Sequence, residues 1–450
     1  MKTFRVAPLE AMVVGLLSLC VVLPAFSQAQ TDSYTWTTIV GTPGIGGVLD
    51  GTNTGALFNR PSGLALAPDG SLYVSEQTTY TIRKITPVGN DWVVTTIAGL
   101  AGALGSADGT NSDARFNRPS SIALDGAGNL FITDNYNDTI RKMTPVGTNW
   151  VITTVAGVAG SPGYDDGTNS QARFRRPQSI AIDAATNLYV TDRLNFTVRM
   201  LEPLGTNLVS STIAGMASIY GDFVDGLNWN AQFNLPWGIA LNSAGVLYVA
   251  DFGNNAIRRI ERIAPGWMTT TIAGFSGLVG TNDGQGNVAQ FDSPNGITVD
   301  SDGTLYVTDQ YNNAIRKLAP NGANWVVSTI GGVAGQSGTN DGVGSVARFY
   351  RPWGIAIDKN RRLFVADNFN GTIRMGVLPS APILQVGWAA GYIVLTWPQA
   401  TGNYVLETTA SLGPGASWQP LTNGIAVAGA NYVLTNSTAA GTAFFRLRKE

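Results

Sequence analysis

The chain has 450 residues, of which 44% are hydrophobic and 13% are charged. This composition excludes an intrinsically disordered chain, because enough apolar surface is available to form a large core. The 28 lysine and arginine residues nearly balance the 30 aspartate and glutamate residues, so the chain lacks the excess of basic residues typical of nucleic-acid-binding proteins. We therefore expect no nucleic-acid partner.

Residues 1–29 have the pattern of a signal peptide. Lys2 and Arg5 precede an apolar segment at residues 11–23, which is too short to cross a bilayer. A proline and several small residues follow this segment and suit cleavage by a signal peptidase. Cys20, the single cysteine of the chain, lies within the apolar segment. We expect a secreted chain, extracellular, periplasmic or at the cell surface, with no membrane span or disulfide after cleavage.

A sequence motif recurs six times within residues 30–378. Each copy contains short runs rich in β-branched and aromatic residues, which are separated by Pro, Asp-Gly or Gly-Asn turns. The pattern predicts a four-stranded antiparallel sheet per copy, and six such sheets packed radially form a β-propeller. One acidic residue marks the same position in each copy, at spacings of 58, 58, 59, 58 and 58 residues: Glu76, Asp134, Asp192, Asp251, Asp309 and Asp367.

The two ends of the repeat array complement each other. A TTIAG-type run, predicted to be the fourth strand, occurs at residues 35–41, before the first complete copy. The last copy ends near Gly376 without such a run. We therefore expect the N-terminal strand to complete the last sheet and so close the ring, which removes two exposed sheet edges.

The repeated motif resembles the NHL repeat family. The copies approximate the pattern P-x-G-I-A, then G-x-L-Y-V-x-D, then N-x-x-I-R-K, and residues 351–375 match it almost throughout. The resemblance covers about residues 35–378 and implies a six-bladed propeller. It also implies that long connections, such as residues 97–119, and the turns after the second strands surround one mouth of a central channel.

The composition changes after Pro379. Residues 379–450 contain several short apolar runs separated by glycine, proline and asparagine turns. This pattern predicts a small β-sandwich, an accessory module of the immunoglobulin or fibronectin type.

Several charged residues recur in all six copies, and we interpret them as structural. The acidic residue at the end of each second strand is expected to cap the turn that follows it, and each Asp-Gly pair is expected to form a turn in which glycine adopts positive φ. Structural calcium at these carboxylates is the alternative; otherwise no cofactor is predicted. The arginine of each I-R-K motif is expected to pair with carboxylates or carbonyls: Arg83, Arg141, Arg199, Arg258, Arg316 and Arg374.

The candidate site is defined by residues that break the repeat. The residue after the first-strand proline varies between copies, and four of its six occupants have large side chains: Gln178, Trp237, Asn295 and Trp353. The turns after the second strands add four more candidates to the same mouth: Tyr136, Arg193, Tyr311 and Phe369. The irregular connection of the fourth copy adds Tyr220, Phe223 and Trp229. Such aromatic and amide groups suit a glycan, peptide or protein ligand, unless they only pack the loops together.

The chain contains no histidine, which excludes a Ser-His-Asp triad and a histidine-bound zinc. No catalytic or metal-binding residues are predicted. The sequence therefore favours an extracellular binding or interaction scaffold over an enzyme. Two alternatives remain open: a hydrolase of the lactonase or lyase type, which the resemblance to propellers allows, and a mainly structural cell-surface protein.

Overall fold

The computed structural model describes residues 33–217, 221–379, 384–389, 392–398, 404–410, 417–421, 423–428, 431–437 and 444–449. The described residues form β-strands joined by turns and single-turn 3₁₀ helices. Ser33–Leu378 form one compact unit, and Pro379–Glu450 belong to a second unit. The predicted signal peptide lies outside the described residues. No helix within them is long and apolar enough to cross a membrane.

The first unit contains six five-stranded antiparallel sheets, here called blades one to six in the chain order of their inner strands. The inner strands are Pro61–Leu66, Pro119–Leu124, Pro177–Ile182, Pro236–Leu241, Pro294–Val299 and Pro352–Ile357. The second strands are Leu72–Glu76, Leu130–Asp134, Leu188–Asp192, Leu247–Asp251, Leu305–Asp309 and Leu363–Asp367. The third strands are Thr81–Val88, Thr139–Val146, Thr197–Leu204, Ala256–Ile263, Ala314–Asn321 and Thr372–Val377.

The outer edge of each blade has two further strands. The fourth strands are Asp91–Ala98, Asn149–Gly157, Asn207–Ala214, Gly266–Gly274, Asn324–Gly331 and, for blade six, Thr35–Val40. A two-residue strand pairs with each fourth strand: Gly51–Thr52, Gly109–Thr110, Gly167–Thr168, Gly226–Leu227, Gly284–Gln285 and Gly342–Val343. The sequence predicted four strands per blade, and these short pairings add the fifth.

The ring is completed by the N-terminal strand. Thr35–Val40 pairs antiparallel with Thr372–Val377, as the orphan TTIAG-type run predicted. Trp36 is fully buried there, and its indole N–H donates to the carbonyl of Ile330 in blade five at 3.1 Å. The inner strand of blade six contacts that of blade one, so the six inner strands surround a central channel. The second strands are buried along their whole length, because each is packed between neighbouring blades.

Each blade contains a buried arginine bound to two carboxylates. The connection between the fourth strand of one blade and the inner strand of the next, residues 99–118 before blade two, is here called the rim connection. In blade two, Arg141 contacts Asp134 of the second strand and Asp108 of the rim connection, both at 2.8 Å. The guanidinium also lies over the ring of Phe116, with its carbon 5.2 Å from the ring centroid. The structural interpretation of the I-R-K arginines is therefore confirmed. The equivalent arginines are Arg83, Arg199, Arg258, Arg316 and Arg374.

The two carboxylates have roles that differ from the sequence-based expectations. Asp134 does not cap the turn that follows it; its carboxylate accepts the backbone N–H of Asn117, from the preceding connection, at 2.7 Å. Gly109, which follows Asp108, is not in the positive-φ region. Instead, the Asp108 carboxylate binds Arg141 and accepts the backbone N–H and hydroxyl of Thr154 on the fourth strand. The predicted backbone cap at Asp134 was wrong, because its carboxylate accepts an N–H that is 17 residues away and, within the turn, the side-chain amide of Asn137. The positive-φ prediction fails for Gly51, Gly109 and Gly226 and is confirmed for Gly167, Gly284 and Gly342.

The second unit contains two antiparallel sheets. One has the strand order Gln385–Ala389, Tyr392–Pro398, Asn431–Ser437, Ile425–Ala428, and the other Gln419–Pro420, Tyr404–Thr409, Phe444–Lys449. One apolar cluster takes residues from both sheets: Leu395, Trp397, Leu406 and Leu434. This shared core is the arrangement expected of a sandwich, and the immunoglobulin or fibronectin likeness stays a prediction.

Asp134→Asn is expected to lower the free energy of unfolding by about 3–5 kcal/mol, because it removes a carboxylate from a buried arginine. Asp108→Asn is the matched comparison; Asp108 is 48% exposed, so its loss should cost about 1 kcal/mol. Urea denaturation of both variants measures the difference. Equal losses would contradict the assignment of Asp134 as the buried partner on which the blade depends.

Deletion of residues 33–41 is expected to lower the melting temperature of the propeller far more than deletion of residues 379–450. The first change removes the fourth strand of blade six and the buried Trp36. The second removes a separate unit. Differential scanning calorimetry of both truncated chains tests this expectation, and a greater loss from the C-terminal deletion would argue against closure by the N-terminal strand.

Candidate functional site

One end of the channel collects the segments that vary between blades. The proline that begins each inner strand pairs with the acidic residue that ends the second strand, as Pro119 does with Asp134. The residues that flank these two positions therefore meet at the same end of all six blades. We call this end the mouth; it is formed by residues 59–62 and 77–80 of blade one and the equivalent segments of the other five.

The two tryptophans predicted to lie at the mouth contact each other. Trp237 of blade four and Trp353 of blade six have ring centroids 5.7 Å apart, with an interplanar angle of 72°. Trp237 also stacks on Phe252, with centroids 4.4 Å apart and rings inclined by 29°. Phe252 in turn meets Tyr311 of blade five edge to face at 6.4 Å. These four side chains, Trp237, Trp353, Phe252 and Tyr311, form a continuous row of contacting rings across blades four, five and six, here called the aromatic wall.

Arginine side chains lie over the aromatic rings. The guanidinium carbon of Arg193 is 4.4 Å from the Trp237 ring centroid. Arg351 lies between two rings, 4.7 Å from the centroids of both Tyr311 and Phe369. Each contact is within the range of a cation–π interaction. Arg193, Tyr311 and Phe369, all predicted from the sequence, therefore belong to one connected cluster at the mouth.

A second group of arginines surrounds Tyr136 on blade two. The guanidinium carbons of Arg118 and Arg176 lie 4.2 Å and 3.3 Å from its ring centroid. Arg118 also donates to the Tyr136 hydroxyl at 2.8 Å. Burial lowers the pKa of Arg193, and the positive charge of Arg176 lowers it further, although Tyr136 acts in the opposite direction. Tyr136 thus lies among three positive charges.

The two predicted amides lie at the mouth but are held by their neighbours. Gln178 and Asn295 are each 3% exposed. The side-chain amide of Asn135 donates to the Gln178 carbonyl oxygen, and Asn295 donates to that of Gln310, both at 3.0 Å. These residues line the channel and fix their neighbours, and they offer few free hydrogen-bonding groups.

Trp229 does not join the mouth. It lies on a 3₁₀ helix, Asn228–Asn230, that follows the short strand paired with the outer strand of blade four, and it is 63% exposed. Phe223, from the same connection, contacts Phe275 at 6.0 Å between centroids. Tyr220 lies outside the described residues. The connection of blade four crosses from the outer edge of the blade to the channel. Trp229 therefore lies at the outer edge, away from Trp237 on the inner strand, although the two are only eight residues apart.

Phe252 and four arginines are among the mouth residues that the sequence analysis missed. Phe252 bridges Trp237 and Tyr311, and it is the only aromatic residue that directly follows an acidic residue at the end of a second strand. The other four are the arginines that precede the inner-strand prolines, all with positive φ: Arg60, Arg118, Arg176 and Arg351. The available signal was the Arg-Pro pair in four of the six copies, which was treated as part of the repeat.

Two other features of the described residues bear on the chemistry. No group of three or more acidic, cysteine or histidine side chains is placed to hold a metal ion among them. A cleft of about 790 Å³ lies between the outer strands of blades four and five and includes Tyr248, Trp325 and Arg259. Arg259 forms an ion pair with Glu261 at 2.7 Å, so its charge is neutralised within the blade.

Six antiparallel sheets around a channel define a six-bladed β-propeller. The sequence profile of the NHL repeat matches residues 233–260, 291–318 and 349–374, and the chain therefore contains NHL repeats.

The chain is 29% identical over 324 residues to the protein SUPPRESSOR OF QUENCHING 1, chloroplastic, of Arabidopsis thaliana. The match covers 57% of this chain and 30% of that protein, so the chain spans less than a third of its relative's length. Two Bacteroides structures are similar, each over 76% of both chains. A protein of unknown function from B. thetaiotaomicron has a TM-score of 0.58 at 20% identity, and an auxiliary nutrient binding protein from B. ovatus has 0.57 at 18%. Such identities show a shared fold alone.

Proposed function

We propose that this chain is an extracellular binding scaffold whose glycan, peptide or protein ligand binds at the mouth of the propeller. The observation that carries the proposal is the convergence of arginine and aromatic side chains from all six blades at one end of the channel. Tryptophan, tyrosine and arginine are the residues that most often dominate binding energy at protein interfaces. Tyr136 and Tyr311 are 36% and 41% exposed, so their rings are accessible to a ligand.

The proposal includes an exported chain. Residues 1–29 would act as the signal peptide, residues 30–378 as the binding propeller, and residues 379–450 as an accessory module. The B. ovatus protein is named for nutrient binding, and a comparable extracellular or periplasmic role is compatible with this chain. The binding role rests on the mouth itself, because one fold supports many functions.

The proposal includes no catalytic residue and no cofactor. A lactonase-like propeller would need carboxylates free to bind a cation or to move a proton. The acidic residue that ends each second strand is instead bound to a buried arginine, as Glu76 is to Arg83 at 2.7 Å. The carboxylate of each Asp-Gly pair binds the same arginine, as Asp50 does at 2.8 Å. These contacts favour a structural role for both sets over calcium binding.

Trp237→Ala combined with Trp353→Ala is expected to weaken ligand binding at least about 30-fold, the effect of losing about 2 kcal/mol from an aromatic anchor. A ligand is first identified on an array of neutral and acidic oligosaccharides and peptides. Its affinity for the double variant is then measured by isothermal titration calorimetry. Both tryptophans are only partly buried, so the melting temperature should fall by a few degrees at most.

Trp229→Ala is the matched control, because it removes an exposed indole at the outer edge of blade four. It should leave both affinity and melting temperature unchanged. Unchanged binding by the double variant would refute the mouth as the site. A large loss of stability would mean that the two indoles serve to pack the channel.

A further inference from the structure

Five arginines at the mouth form no side-chain ion pair with a carboxylate among the described residues. They are called here the arginine arc, and they come from blades one, two, three and six: Arg60, Arg118, Arg176, Arg193 and Arg351. The buried arginines of the blades each bind two carboxylates, whereas none of these five forms an ion pair within the described part of the chain. The contrast separates the arginines that hold the fold together from those that do not.

The charge at the mouth is strongly positive although the whole chain has a net charge of −2. The mouth segments contain two acidic residues, Asp138 and Asp292, and neither is bound to a buried arginine. The Asp138 carboxylate accepts the backbone N–H of Arg176 at 2.8 Å, and that of Asp292 accepts the Ser293 hydroxyl at 3.3 Å. Exposed Arg175 adds a sixth positive charge. Positive charge therefore outweighs negative charge locally.

The arginines are crowded in a way that an anion would relieve. Arg118 and Arg176 lie over the same Tyr136 ring, and the positive charge of Arg176 also acts on Arg193. The buried Nε of Arg193 has no hydrogen-bond partner in the described part of the chain. Like charges brought together in a partly desolvated site repel each other unless a counter-charge is present. A bound carboxylate would supply that counter-charge.

Stacking on the aromatic rings prepares the guanidinium groups for such a ligand. Arg351 is held between Tyr311 and Phe369, and Arg60 lies 4.4 Å above the same Phe369 ring. A guanidinium that stacks through its flat face keeps its N–H groups at the edge, where they can bind a carboxylate with two hydrogen bonds. Because stacking restricts the side chain, less entropy is lost on binding.

The arginine arc and the aromatic wall are centred on different blades but meet at two contacts, Arg193 over Trp237 and Arg351 over Tyr311. Blades four and five have Leu235 and Ser293 where the other four have arginine before the proline. Three members of the aromatic wall, Trp237, Phe252 and Tyr311, lie in this part instead. The mouth thus places aromatic rings and cationic hydrogen-bond donors side by side, with most of the arginines on blades one to three.

We propose that the mouth binds an acidic oligosaccharide of the uronate type, with its sugar rings against the aromatic wall and its carboxylates bound by the arginine arc. This inference rests on the proposed function and specifies its ligand. A uronate carries an apolar C–H face and a carboxylate on one rigid ring, which matches the pairing of aromatic rings with arginines at the mouth. An acidic peptide has carboxylates on flexible side chains without such a face. A long nucleic acid would extend beyond the mouth and be repelled by the net negative charge of the whole chain.

The test compares tetragalacturonate with galactotetraose, which differs from it by having hydroxymethyl groups in place of carboxylates. Isothermal titration calorimetry with the full exported chain should show tetragalacturonate binding at least about tenfold more tightly, since hydrogen bonds to charged groups contribute the difference. Raising the salt concentration should weaken binding of the acidic sugar and leave that of the neutral sugar unchanged.

Arg351→Gln and, separately, Arg60→Gln should each weaken tetragalacturonate binding about tenfold and leave galactotetraose binding unchanged. Two variants from different blades guard against a local folding defect, which the melting temperature would reveal. The matched control is Arg262→Gln, because Arg262 also stacks on an aromatic ring, Trp267 at 5.8 Å, but near the hairpin end of its blade, away from the mouth. It removes the same charge and should change neither affinity.

Equal affinity for the two sugars, without effect of the arginine variants, would overturn the inference while leaving the proposed binding function intact. Tighter, arginine-dependent binding of hexaglutamate or of an oligothymidylate would overturn the choice of a sugar. Failure of tetragalacturonate to bind would also overturn it. The proposed function itself would fail only if the tryptophan double variant kept full affinity for whichever ligand the array identifies.

Discussion

In every blade a buried arginine binds two carboxylates that come from distant parts of the repeat. Burying the arginine and the second-strand carboxylate is costly unless both are hydrogen bonded, and here both are; the second carboxylate, Asp108 in blade two, is half-exposed. Arg141 donates to Asp134, to Asp108 and to the carbonyls of Arg115 and Ala107. Burial raises the pKa of Asp134 to about 6, although Arg141 and the hydrogen bonds to its carboxylate lower it. The group joins the rim connection to the second, third and fourth strands of the blade. The geometry of the blade therefore depends on it.

The same group fixes the residues of the mouth. Asp134 directly precedes the turn that carries Tyr136, and its carboxylate holds the backbone N–H of Asn117, the neighbour of Arg118. In blade six, Asp367 likewise holds the N–H of Tyr350, the neighbour of Arg351. A mouth formed by loops therefore has the backbone support of a buried core. This arrangement explains how side chains from six separate connections can be held in place to meet one ligand.

The sequence period was enough to predict the six sheets and their closure, because each copy repeats the same alternation and turn residues. Pairings between segments far apart in the chain were not predictable in this way. Arg141 and Asp108 are in different segments of the copy, and no local rule links them. The grouping of Trp237 with Trp353 followed from their equivalent positions, whereas Trp229 was misplaced because the rim connection spans the whole blade. The arginines before proline were overlooked because the Arg-Pro pair recurs in four copies like the rest of the repeat, and the residue type does not reveal their left-handed backbone.

The buried arginine groups hold the mouth segments in place. Amide hydrogen exchange tests this most directly, because it reports the opening free energy of individual hydrogen bonds. The backbone amides of Asn117, Arg175 and Tyr350 each donate to a buried carboxylate and should exchange as slowly as those of the second strands. Exchange at these amides as fast as in exposed loops, while the second strands stay protected, would contradict the claim.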